Sequence, residues 1–232
     1  MMNKLSALLK QETKIVHGFA DLRQLPAEAR HNYDYGIIIG VPYTKEAMEE
    51  NKNRQPHRYY DEITDINNRL TQLAEHVADF LTSQGYKAYP KTKAAVSQEE
   101  TYKYFNTILP HKTVATLAGI GWIGKTALLV TKEVGSALRL VTVLTDAPLE
   151  CGTPITKSKC PPSCMICVNI CPGKSSTGAL WEAGMEREAF FDPQACYNAA
   201  RAHAKELLGK DETVCGQCIS HCPVTMAGLG YK

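Results

Sequence analysis

The first 150 residues of this 232-residue chain contain no cysteine, although nine follow from Cys151 onward. That shift is the clearest compositional boundary, and it divides the chain into expected domains 1–149 and 150–232. Long apolar runs are also missing, so no membrane span is expected. Residues 1–12 form an amphipathic, lysine-bearing stretch with no apolar core region, so no secretory signal is expected there. Reduced cysteines and a cytoplasmic location follow as expectations. No basic block occurs either: 26 Lys and Arg face 24 Asp and Glu, for a net charge of +2. Residues 151–232 carry 8 basic and 7 acidic residues, and residues 1–150 the remaining +1, so there is no electrostatic sign of nucleic-acid binding. With 44% hydrophobic residues, the chain can bury a core in one or two domains.

Eight of the cysteines fall into two similarly spaced sets. The first is Cys160-x3-Cys164-x2-Cys167-x3-Cys171-Pro172, and the second is Cys196 followed by Cys215-x2-Cys218-x3-Cys222-Pro223. Two groups of four thiolates are what two [4Fe–4S] clusters need, and in two-cluster ferredoxins the cysteine before proline ligates the other cluster. That crossover assigns Cys160, Cys164, Cys167 and Cys222 to one cluster, and Cys171, Cys196, Cys215 and Cys218 to the other. Zinc favours two Cys-x2-Cys pairs and gives no reason for a repeated Cys-Pro ending. Disulfides require an oxidising compartment. The three residues between Cys160 and Cys164, where ferredoxins usually have two, leave Cys151 as a substitute ligand or a spare thiol. His221, beside Cys222, reads as a hydrogen-bond donor to a cluster environment and not as a ligand.

The N-terminal part reads as helices interleaved with buried strands, hence an α+β or α/β sheet domain followed by a ferredoxin-like two-cluster domain. The glycine-bounded run 35–41 reads as a buried strand. Ile63, Ile66, Leu70, Leu73, Val77 and Phe80 recur at steps of three and four, marking one face of a helix over 59–81 that ends near Gly85. Segment 86–89 reads as a short strand. Segments 127–131 and 138–145 read as two more, joined as a hairpin by a turn at 133–135. A helix is expected over 193–208.

The run Gly119-Ile-Gly121-Trp122-Ile-Gly124-Lys125-Thr126 fits both the P-loop and the dinucleotide-binding pattern. Both mechanisms need a strand before the loop and a helix after it. Here 111–118 reads at least as well as helix, and the strand-like 127–131 leaves no room for a crossover helix. Three readings stay open: a phosphate cradle, a tight structural turn, and a loop lining another cofactor's pocket. On the last, Gly119, Gly121, Trp122, Gly124 and Lys125 are the cofactor-binding candidates.

The run from Leu117 to Lys125, then Gly135-Ser136, Arg139-Leu140 and Leu144-Thr-Asp-Ala-Pro-Leu149, resembles the core of epoxyqueuosine reductases. The cysteine sets, including isolated Cys196, are similar to that family's double-cluster domain. Val41-Pro-Tyr43 and Tyr59-Tyr60 match more weakly. The resemblance implies a cobalamin-binding α/β domain joined to a ferredoxin-like domain, an arrangement shared more distantly with reductive dehalogenases. It implies electrons passing from an external low-potential donor, of ferredoxin or flavodoxin type, through the clusters to cobalamin. The family's acidic proton donor, in an Asp-Ser-Ala-Pro segment before the glycine loop, has no counterpart around Tyr86-Lys-Ala-Tyr-Pro90. Its C-terminal tRNA-engaging extension is not seen in the ten residues after Cys222. With the balanced charge, this points to a small-molecule substrate in place of a tRNA base.

Tyr43, Tyr60, His111 and Lys112 each adjoin a family-like segment and can donate a proton, which makes them the catalytic candidates. Each also has a structural reading, as a core-edge tyrosine or a helix start. The leading function is thus a cobalamin-dependent iron–sulfur reductase. Its alternatives are an electron-transfer or reactivase protein serving a corrinoid partner, and an ATP-coupled donor resting on the P-loop match.

Overall fold

The computed structural model describes residues 1–99, 101 and 105–230. In chain order, helix α1 (Met2–Gln11) leads to strands β1 (Val16–Asp21) and β2 (Tyr35–Pro42), then helices α2 (Lys45–Lys52) and α3 (His57–Ser83). Strand β3 (Ala88–Lys91), helices α4 (Lys93–Ser97) and α5 (His111–Leu117), and strands β4 (Gly121–Ile123), β5 (Leu129–Thr131) and β6 (Leu138–Thr145) come next. The cysteine-bearing part carries α6 (Ile166–Asn169), α7 (Pro193–Leu208), α8 (Gln217–Ser220) and α9 (Pro223–Gly228). The class is α+β, with antiparallel pairing between β1 and β2, β3 and β6, and β4 and β5.

Two compact units are present, and neither is contiguous in sequence. One comprises Met1–Pro42, Ile66–Ile120 and Arg139–Ile155; the other comprises Tyr43–Asp65, Gly121–Leu138 and Thr156–Lys232. The cut at 149/150 therefore tracks where cysteines begin, whereas packing groups Gly121–Leu138 with the eight cysteines after Cys151.

The first unit is built on a four-stranded sheet of order β1-β2-β6-β3. Its central strand β2 buries Ile37, Ile38, Ile39 and Val41, the β-branched run that the sequence marks as a strand. The face of α3 carrying Ile66, Leu70, Leu73, Val77 and Leu81 is buried, as its three-and-four spacing requires. Burying each such side chain contributes about 1.5–3 kcal/mol, so this face decides the helix far more than propensity does.

The expected hairpin between 127–131 and 138–145 does not form. Strand β5 pairs with β4, from Gly121↔Thr131 to Ile123↔Leu129, while β6 joins the four-stranded sheet. The hairpin thus lies one strand earlier. Gly124 N–H donates to Leu128 O at 2.8 Å, and Ala127 adopts a φ of 57° to close the turn. At Gly121 a side chain is excluded, because a Cβ there would lie 2.5 Å from Val130 O. The glycine that suggested a phosphate loop is needed for strand pairing.

In the second unit, α7 starts at Asp192, whose carboxylate accepts from Ala195 N–H at 2.9 Å, with Pro193 in the first turn. It ends at Gly209, whose φ of 65° is the left-handed cap. These signals are local, which is why the helix 193–208 is legible from sequence.

Candidate iron–sulfur centre

Short helical turns carry most of the cysteines. Cys160 and Cys164 precede α6, Cys167 lies within it and Cys171 comes after it. Cys196 sits near the start of α7, Cys215 just before α8, Cys218 within α8, and Cys222 caps the N-terminus of α9. The second Cys-Pro pair places its proline where a missing N–H costs little: Pro223 is at the first position of α9. All nine thiols are free and partly exposed.

Their mutual electrostatics define the neighbourhoods. The Cys167 thiol is pushed up to about 11, first by burial and then by Cys222, Cys160 and Cys164. Burial, followed by Cys171 and Cys215, pushes Cys196 up to about 11. The Cys218 thiol is raised further by desolvation, with Cys215, Cys196, Cys171 and Cys167 adding to it. Among the described residues, no three His, Cys, Asp or Glu groups are drawn together as one metal ion needs. A lone zinc wants its sulfurs about 2.3 Å away, whereas a cubane holds four thiolates around a body of its own width. Eight thiols in two sets of four are the number and kind of donor that two cubanes use, with no reaction step implied by that count alone.

Hydrogen bonds also converge on the sulfurs. Trp122 Nε1–H donates to Cys160 Sγ at 3.4 Å. Ser175 N–H donates to Cys171 Sγ at 3.5 Å, with the hydroxyl 3.6 Å from the same sulfur. His221 instead turns Nδ1 to Gln217 O at 3.0 Å, one turn back in its own segment. Cys151 belongs to the other compact unit; its thiol is raised by burial first and then by Asp21, and Sγ lies 3.4 Å from Leu149 O.

From Gly121 onward the glycine loop is spent within the unit that holds eight of the cysteines. The segment after Lys125 is strand β5 and not a helix, so the helix N-terminus on which both phosphate patterns depend is missing. Lys125 is 2% exposed, and its Nζ donates to Pro162 O at 2.8 Å and Cys164 O at 2.9 Å. Ser176 Oγ donates to Lys125 O, and Trp122 is 5% exposed. These contacts bind the loop to the first cysteine set. They leave no open cradle for a corrin ring within Gly121–Lys125, and at Gly119 a Cβ would collide with Thr153 O.

Of the four proton-donor candidates, Tyr43 and Tyr60 lie in one unit, His111 and Lys112 in the other. Tyr43 is buried, its ring 4.7 Å from that of Tyr59. Tyr60 lies beneath Lys210, with Nζ 4.7 Å from the ring centre. His111 Nδ1 is 2.8 Å from Thr142 Oγ1. Burial, with Lys91 adding repulsion, lowers its imidazole to about 4, so it is neutral at pH 7. Sequence reasoning missed the ion pair beside it, Lys91 with Glu99, both almost wholly enclosed. A lysine in a short strand carries no pattern that announces burial.

No family model matches the chain. The epoxyqueuosine reductase of Pseudomonas aeruginosa is 25% identical over 158 residues, covering 68% of this chain and 39% of the relative. That of Listeria monocytogenes is 46% identical over 83 residues, covering 36% of this chain and 19% of the relative. The chain is a relative of the epoxyqueuosine reductases. It spans well under half the length of these two relatives. The fold agrees: the Bacillus subtilis epoxyqueuosine reductase superimposes with a TM-score of 0.57 at 19% identity, over 96% of this chain and 64% of that one. A reductive dehalogenase whose structure suggests a B12-dependent mechanism gives 0.66 at 16%, over 94% of this chain and 31% of that one. No helix among the described residues is long and apolar enough to cross a membrane.

Proposed function

We propose that this chain is an iron–sulfur oxidoreductase that passes electrons through two [4Fe–4S] clusters to reduce a small substrate. The observation carrying this reading is the gathering of eight thiols into two neighbourhoods, which supports one cluster on Cys160, Cys164, Cys167 and Cys222 and another on Cys171, Cys196, Cys215 and Cys218. When bound, each cluster supplies a one-electron carrier whose potential can reach about −700 mV. The chain's own residues set that behaviour. Cys167 and Cys218 are the thiols whose environment couples the two sets. The amide of Ser175 and the indole of Trp122 hold sulfurs by N–H donation.

The partners proposed are an external low-potential donor of ferredoxin or flavodoxin type and a small organic substrate, in the cytoplasm. The net charge of +2 supports a substrate other than tRNA. The B12-dependent dehalogenation attributed to a structural neighbour supports cobalamin as the acceptor. The glycine loop does not fit a corrin, so no step is assigned to that group.

Anaerobic reconstitution with iron, sulfide and cobalamin tests the reading. About eight irons per chain are expected. One cobalt beside them supports the cobalamin reductase; eight irons without cobalt shift the assignment to an electron carrier for a partner's corrinoid or other centre. A chain that binds no iron refutes both.

A further inference from the structure

We infer that the glycine-lysine loop Gly121–Lys125 is a device that sets the reduction potential of the first cluster, with Trp122 and Lys125 as its positioning residues. The inference rests on the proposed two-cluster function and assigns new roles to two residues within it.

Lys125 is the first observation. Its ammonium is buried, and the contacts made by Nζ are two carbonyl oxygens and Met165 Sδ at 3.6 Å. Among the described residues, no carboxylate pairs with it. A buried charge without a counter-charge costs several kcal/mol, and natural folds keep one only where something compensates it. Carbonyl dipoles compensate in part. Both acceptors belong to the segment 162–164 that presents Cys164, so the charge is aimed at the cysteine set. Four thiolates around a cubane core leave the assembled cluster anionic. An anionic cluster there supplies the missing counter-charge.

Trp122 is the second, independent observation. Its ring is held in strand β4 by the hairpin register with Val130, and its only polar side-chain hydrogen points at Cys160 Sγ. An N–H donor to a ligand sulfur stabilises the state with more negative charge, which for an iron–sulfur cluster is the reduced one. Reduction adds one electron to the cluster, drawn from the external donor, with no bond made or broken in the protein. Both the indole dipole and the lysine charge favour that added electron, so each raises the cluster's potential.

Strand pairing explains why the motif looks like a phosphate loop and behaves otherwise. Gly121 lets the two strands close. At Gly124 a Cβ would lie 2.9 Å from Val130 Cγ2 and 3.8 Å from Cys160 Sγ, so the backbone runs against the cluster ligand itself. The small residues serve close approach, and the lysine serves an anion, but the anion is sulfur-bound iron.

The test is an EPR-monitored reductive titration of the reconstituted full chain, in wild type, Trp122→Phe, Lys125→Met and Lys125→Arg. Trp122→Phe keeps an aromatic ring and removes the donor; Lys125→Met keeps the stem and removes the charge. Both are expected to retain about eight irons and to lower the midpoint of one cluster while the other stays in place. A tenfold loss in that cluster's one-electron reduction constant is expected for each, which is about 59 mV. Lys125→Arg is expected to restore the wild-type midpoint. Full iron content with unmoved midpoints in both Trp122→Phe and Lys125→Met overturns the inference alone. A wild-type chain without iron overturns the cluster reading, and this inference with it. If Lys125→Met fails to assemble, the Trp122→Phe midpoint decides.

Discussion

The Lys91–Glu99 pair offers a sharp quantitative test in the first unit. The Lys91 side chain is 1% exposed and that of Glu99 9%, so neither charge has water to fall back on. Glu99 accepts from Lys91 and also from Ile108 N–H at 2.8 Å. Lys91 pairs in register with Thr142, and Thr142 Oγ1 is bonded to His111 Nδ1. Replacing Glu99 with leucine strands the ammonium, and removing one partner of a buried pair costs about 3–5 kcal/mol. For a chain of this size each kcal/mol moves Tm by about 2–4 °C. Glu99→Leu is therefore expected to melt roughly 6–20 °C below wild type. Lys91→Met is expected to fall comparably, whereas Lys91→Met/Glu99→Leu together should return to within about 1 kcal/mol of wild type, since apolar replacement of a buried pair is often neutral.

His111 reports the same charges independently. Burial holds its imidazole down to about 4, with Lys91 pushing the same way and Glu99 opposing. Lys91→Met is expected to raise that value, read from the imidazole shifts in an NMR titration. Single variants that melt with wild type, or a double variant losing the sum of both, would refute the pairing argument. An unmoved His111 in Lys91→Met would refute the electrostatic part alone.

Cys164→Ala and Cys218→Ala are each expected to remove one cluster, hence about four of eight irons, by iron assay. Acid should destabilise the chain as His111 titrates. Its folded value of about 4 lies below the unfolded 6.5, so the unfolded state binds the proton first. The contribution, at most about 3 kcal/mol, is present above pH 6.5 and is lost as pH falls towards 4, where denaturant midpoints should drop. Asn51 is buried, with Nδ2 donating to Ser220 Oγ at 3.1 Å and its backbone carbonyl accepting from Gln217 Nε2 at 2.6 Å. Asn51→Ala should cost about 1–3 kcal/mol in chemical denaturation by leaving Ser220 short of a partner. Mg-ATP is expected to leave Tm unchanged, because the loop lacks its helix; a clear upward shift would revive nucleotide binding.

The features legible in the chain were those encoded locally. The α3 face and the β2 run declare themselves by period and branching, and α7 by its Asp192 cap and Gly209 stop. The cysteine spacing can be read without any fold, because ligand count and Cys-Pro endings are a property of sequence, and the two-cluster proposal built on it is what the iron assay tests. Pairing between strands is not local. The segment 138–145 looked like the partner of 127–131 because a glycine turn separates them, yet a three-residue strand inside the glycine motif took that place. Three residues show too little alternation to be seen, and two of them, a glycine and a tryptophan, read as parts of a loop. Lys91 was invisible for a different reason: burial of a charge depends on Glu99 arriving eight residues later.

Non-local pairing also explains why the glycine motif was ambiguous. A phosphate cradle and a cluster clamp make the same demands on sequence: glycines where backbone must come close, and a lysine to answer negative charge. They differ in the element beyond the lysine. A phosphate loop delivers its ligand to a helix N-terminus, while a hairpin delivers side chains alternately to two faces. In this chain the hairpin places Trp122 on Cys160 and lets Lys125 reach the carbonyl of Cys164. Both donors reach the first cysteine set, and that is why the anion proposed for this loop is a cluster and not a phosphate.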